Sequence, residues 1–127
     1  AMKVGKVEPR LLMLKAGVMV LTCGRPGLYL AFNRDLVGKD WQTVDTLVHH
    51  NTLLPQEPIS TAQLQAAGGT SSYCGIVALD ANTFLYCYDR IPESFRARTG
   101  WKANPKNADN IREMFNIYIV RVRVEQK

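Results

Sequence analysis

The sequence predicts an all-β fold built from antiparallel sheets. Three observations carry this. Apolar residues recur with a period of two along most of the chain. The apolar runs are rich in Val, Ile, Tyr and Phe, which suit a pleated surface. Several runs are separated by short turns holding Gly, Pro, Asn or Asp, and short turns make antiparallel neighbours.

The elements follow in order. "RLLMLK" (10–15) is the first strand and "VMVLTCG" (18–24) the second, with "KAG" as their turn. "RPG" leads into "LYLAFN" (28–33), and "NRDLVGKDW" leads into a fourth strand, "WQTVDTLV" (41–48). Residues 52–71 form a long connection, in which "STAQLQAAG" is compatible with a helical turn. The fifth and sixth strands are "YCGIVAL" (73–79) and "FLYCYD" (84–89), joined through "DANT". Residues 90–115 read as an insertion with Gly, Pro and Asn, where "NADNIREMF" is compatible with a short helix. "NIYIVRVRVE" (116–125) is the last strand.

Four strands, a long connection and three strands make one plan used twice, the second copy one strand short. Four-stranded antiparallel sheets packed radially form a β-propeller. The expectation is a single partial propeller domain over 1–127, with one blade at 7–49 and another at 72–125. Two blades do not close a ring. The remaining blades are expected from a longer parent chain or from other copies of this one.

Composition narrows the function. Hydrophobic residues make up 46% of the chain, enough for a core. No apolar run approaches the ~20 residues of a membrane helix, and "AMKVGKVEPR" has no apolar segment of a signal peptide. The compartment stays open. Sixteen Lys and Arg against eleven Asp and Glu give a formal charge of +5, which suits an anionic partner. The cations are scattered rather than massed, with Arg121 and Arg123 alternating on one strand face, so neither nucleic acid nor a membrane is the expected partner. Cys23, Cys74 and Cys87 are odd in number and lack CxxC spacing, so they read as buried free thiols. His49 and His50, if on a strand, point to opposite faces. No metal site and no cofactor is expected.

The turn "NRDLVGKDW" (33–41) resembles the Asp-box of sialidases and other BNR-repeat propellers, S-x-D-x-G-x-T-W. Asn33 stands at the serine, Asp35 at the aspartate, Gly38 at the glycine and Trp41 at the tryptophan. One residue is inserted before Gly38, and Asp40 replaces the threonine. A turn carboxylate accepts backbone N–H groups, glycine permits positive φ and the tryptophan packs below. "VEPRLLMLKAGVMVLTCGRPGLYLAFNRD" is similar to the penultimate blade of sialidase-like six-bladed propellers. "SSYCGIVALDANTFLYCYDR" is similar to their last blade, with its G-Y-S-x-L and L-Y-E-like stretches.

The resemblance implies a parent exo-glycosidase that hydrolyses terminal sugars, sialic acids among them. Tyr73 matches the nucleophile at the head of the last blade's inner strand. Arg25 matches one of three arginines that hold the sugar carboxylate, and Asp89 replaces a glutamate. A planar guanidinium grips a carboxylate with two parallel hydrogen bonds. A tyrosine nucleophile approaches an anionic sugar uncharged, which a carboxylate does not. The other arginines, the acid and the base would lie in earlier blades, so this chain alone is expected to be inactive unless copies assemble.

Strand direction gives an independent expectation. If the first strand of each group runs downward, Tyr73, Arg25, Asp89 and Arg10 share the upper rim and the Asp-box lies below. The bland readings stand beside these: Tyr73 as an edge aromatic, Arg25 as a surface turn residue, Trp101 as a loop anchor rather than a sugar platform. At the level of function the alternative is a non-catalytic carbohydrate-binding or structural propeller module.

Overall fold

The computed structural model describes residues 7–24, 27–56, 58–59, 73–90 and 116–125. Arg25, Trp101 and the two stretches compatible with helix lie outside them. The first sheet holds β1 (Val7–Leu14), β2 (Val18–Gly24), β3 (Leu28–Asn33) and β4 (Trp41–Asp45) in chain order. The second holds β5 (Cys74–Ala78), β6 (Thr83–Arg90) and β7 (Asn116–Arg123), also in chain order. Every neighbouring pair is antiparallel.

Alternation decides which faces are buried. In the first sheet Leu12, Val20 and Phe32 share one register row, and Leu14 pairs with Val18. In the second, Phe84 pairs with Val122 and Tyr86 with Val120. These two faces meet in one core, joined by Leu47 and Ile59. Burying each such side chain contributes roughly 1.5–3 kcal/mol. The Phe32 and Phe84 rings meet across the interface with centroids 6.2 Å apart.

The period of two breaks once. The sequence reading extends the fourth strand to residue 48; in the structure it stops at Asp45, and α1 (Thr46–Leu53) begins. The reason is a cap. Asp45 accepts the Leu47 N–H at 2.9 Å, which satisfies one of the free donors at a helix start. At the far end the Leu54 N–H donates to the His50 carbonyl. His49 and His50 therefore lie on a helix, not a strand: His50 is buried and His49 exposed. The first sheet accordingly ends at Asp45, and α1 crosses the boundary expected at 49.

Two hydrogen bonds orient the sheets. The Ala16 N–H, in the β1–β2 turn, donates to the Ala81 carbonyl in the β5–β6 turn at 2.8 Å. The Arg34 guanidinium, after β3, donates to the Glu125 carbonyl, after β7, at 2.7 Å. The ends of β1 and β5 thus lie together, and the two strands run side by side in one direction. The three tight turns, 15–17, 34–40 and 79–82, share this lower end. The longer connections leave from the opposite rim.

Candidate functional site

Of the rim residues expected from sequence, Tyr73, Asp89 and Arg10 are described and lie at the upper end. Tyr73 immediately precedes β5 and is 55% exposed. Carrying the Cys74–Tyr88 pairing one step further sets Tyr73 opposite Asp89. Both have the parity of Gly75 and Cys87, on the face turned away from the first sheet. Arg10 lies near the start of β1 on the same rim, paired with Thr22, whose side chain points into the inter-sheet space. The structure therefore brings Tyr73 and Asp89 to facing positions of one strand pair. It puts Arg10 on the neighbouring sheet.

Arg10 is already engaged. Its guanidinium donates to the Glu8 carboxylate at 3.2 Å. A bulge lies between Val7 and Arg10, and Glu8 takes φ 42. A side chain rarely adopts that backbone region, and strain of this kind is held only where the surroundings fix it. Nothing in the sequence signalled the bulge, because Glu8 precedes the apolar run.

The 33–41 turn closes at the lower end. Asp35 Oδ1 accepts the N–H groups of Val37 and Gly38 at 2.8 and 2.9 Å, and Oδ2 accepts those of Lys39 and Asp40 at 3.1 and 2.8 Å. Desolvation works upward on this carboxyl, but the N–H groups of Asp40, Val37 and Gly38 and the Asn33 side chain outweigh it and hold the pKa at about 2. Gly38 has φ +75, as expected. Trp41 Nε1 donates to the Gly38 carbonyl at 2.9 Å. Buried Asn33 spans the turn, accepting the Leu36 N–H at 2.9 Å and donating to the Asp40 carbonyl at 3.0 Å. Leu36, within the turn, takes φ 57. The carboxylate acts on its own backbone, so this turn is structural.

Sequence reasoning missed a buried polar cluster between the sheets. Tyr88 OH and His50 Nδ1 are 2.9 Å apart, and the His50 ring meets Tyr118 edge-on at 4.8 Å. Tyr86 OH lies 3.3 Å from Thr46 Oγ1 and 3.7 Å from Cys74 Sγ. Burial, then the proximity of Cys74, raises the Tyr86 phenol well above its ordinary range. Burial, with Tyr118 beside it, pushes Tyr88 up to about 12. Burial raises the Cys74 thiol as well. All three stay protonated at neutral pH, as donors and packing groups rather than nucleophiles. The sequence signal was the Asp45–Thr46 pair, a helix start that brings His50 onto Tyr88.

Cys23, Cys74 and Cys87 form no disulfide; Cys23 and Cys74 are buried, as expected, whereas Cys87 is half-buried. Among the described residues, no three His, Cys, Asp or Glu side chains gather as a metal site, and no helix is long and apolar enough to cross a membrane. No family model matches the chain, and neither a curated protein nor a solved structure is significantly similar to it.

Proposed function

We propose that the two sheets are neighbouring blades of a sialidase-like propeller whose parent hydrolyses terminal, carboxylated sugars at the upper rim. The observation that carries this reading is the placing of Tyr73 at the head of β5, next to the Cys74–Tyr88 pair, on the rim opposite the closed 33–41 turn. The side-by-side, parallel course of β1 and β5 supports it, since radial blades bring their first strands together. In this reading the Tyr73 oxygen attacks the anomeric carbon, its proton passing to a base. The bond to the leaving oxygen breaks, and an acid from another blade protonates that oxygen. Water then releases the sugar and restores the phenol. Arg25 grips the sugar carboxylate, with Arg10 and Asp89 as further contacts. The missing blades come from the parent chain or from other copies.

The test uses the complete propeller and an aryl sialoside. Tyr73→Phe should abolish turnover and leave the melting temperature in place. Arg25→Lys should weaken a carboxylated sugar more than the same sugar as its neutral amide. Intact turnover in Tyr73→Phe would refute the nucleophile.

A second reading, a non-catalytic carbohydrate-binding or structural module, is favoured by one observation: Glu8 already occupies the Arg10 guanidinium. It predicts sugar binding without turnover, unchanged in Tyr73→Phe.

A further inference from the structure

We propose that the outer face of the second sheet docks on the outer face of the first sheet of another copy of this chain, so that copies join head to tail. The proposal rests on the reading of the two sheets as repeated blades, and not on the sugar chemistry of the rim.

The register makes the repeat explicit. Residues 15–17 lie between the paired Leu14 and Val18. Residues 80–82 lie between Leu79 and Thr83, where the Leu79 N–H donates to the Thr83 carbonyl at 2.9 Å. Matching these turns of equal length sets Ala16 on Ala81. The ladder pairs carry the match outward: Leu12 falls on Val77, Leu14 on Leu79, Val20 on Leu85, Leu28 on Ile117 and Leu30 on Ile119. The first member of each pair belongs to the inner face of the first sheet, and the second to the outer face of the second sheet. Leu14 is 1% exposed, whereas its counterpart Leu79 is 50% exposed. In the other direction, Met19 and Leu21 on the first sheet's outer face stand where Phe84 and Tyr86 stand in the core. The two outer faces are thus the two halves of the interface already formed inside the chain. A repeat that leaves one such half open at each end is completed by the next repeat.

The polar contacts repeat as well. The Ala16 N–H reaches the Ala81 carbonyl within the chain. The matching contact between copies runs from the Ala81 N–H, at an exposed tip, to the Ala16 carbonyl of the next copy. Arg34 crosses the internal interface to the Glu125 carbonyl. Arg123, paired with Thr83, occupies the matching place, and alternation puts it on the outer face. The Phe32–Phe84 contact becomes the Arg121 stem against Met19. Cys23 and Ala31, higher on the first sheet's outer face, are already buried, so the seat is the lower half of that face, around Leu11, Met13 and Met19.

The experiment measures mass by light scattering after size exclusion on the 127-residue chain. The unaltered chain should exceed a dimer, because each copy keeps an open face until a ring closes. Leu11→Asp charges the first sheet's outer face, and Leu79→Asp the second sheet's. Each variant alone should run as a 14.3 kDa monomer with the unaltered chain's β-sheet circular dichroism. Their mixture should give a dimer and nothing larger, since one intact face of each kind remains. Where an aspartate disturbs folding, Leu11→Gln and Leu79→Gln serve. A dimer from either variant alone would mean that like faces meet, and would overturn the head-to-tail contact; a mixture that stays monomeric would overturn it too. A monomeric unaltered chain whose Ala16 amide still exchanges slowly would overturn the assembly and keep the repeated blades. Fast exchange at Ala16 would remove the blade reading beneath it.

Discussion

The Ala16 N–H and the Ala81 carbonyl join the tips of two hairpins that belong to different sheets, 2.8 Å apart. A turn amide is ordinarily open to water, but this one is bonded across the interface. Ala16 should therefore exchange with solvent far more slowly than Lys15 beside it, at a rate set by separation of the sheets. Native-state hydrogen exchange measures this directly. Equal rates at the two amides would mean that the tips open independently.

Asp35 makes the lower turn acid-sensitive. Its carboxyl titrates at about 2 in the folded chain against 3.8 ordinarily, so the unfolded chain binds the proton more readily. Its stabilising effect is fully present above 3.8 and is lost as pH falls through about 2. Asp35→Ala should lower the melting temperature at pH 6 and converge with the parent chain near pH 2. Melting curves across this range decide; a constant gap down to pH 2 would assign the loss to something other than the carboxylate.

Leu36 holds a left-handed conformation with half its surface in water. A branched residue there costs on the order of 1–2 kcal/mol in backbone strain. Leu36→Asn should raise stability by roughly 0.5–1 kcal/mol, because asparagine tolerates this region. A shift in the denaturant midpoint checks the sign.

Gly75 sits against its strand partner: a Cβ added there would lie 2.6 Å from Cys87 Sγ. Gly75→Ala should cost about 1–3 kcal/mol by overpacking. Cys87→Ala removes the obstructing sulfur, so the double variant should recover much of the loss. Additive costs in the double-mutant cycle would place the penalty in the backbone instead.

Both outer sheet faces keep large apolar side chains in water, with Leu11 and Met13 on the first and Val77, Ile117 and Ile119 on the second. Such patches drive association. Light scattering after size exclusion should show the chain larger than 14.3 kDa. A monomer of that mass that binds no hydrophobic dye would show that these faces are stable in water.

The strands were legible because alternation is a local signal. So was the hydrogen-bonded turn at 33–41, since Asn33, Asp35, Gly38 and Trp41 each have a local backbone role. The rim followed from counting strand directions. The helix was lost because Thr46 and Val48 continue the alternation of β4 and hide the Asp45 cap. The Tyr88–His50 pair joins residues 38 apart in sequence, through a helix the pattern concealed. The bulge at Glu8 lies ahead of the apolar run, where no periodicity encodes it.

The unequal lengths of the connections order the folding reaction. β1 to β4 are linked by short turns, so each hairpin closes at little entropic cost. β7 must return to β6 across residues 91–115, and Arg34 reaches the Glu125 carbonyl from 91 positions away. Loop closure of that kind comes late and slowly. The expected nucleus is the first sheet, with the second sheet condensing on its apolar face. Substitutions in β2 and β3 should therefore slow folding, and substitutions in β7 should chiefly hasten unfolding.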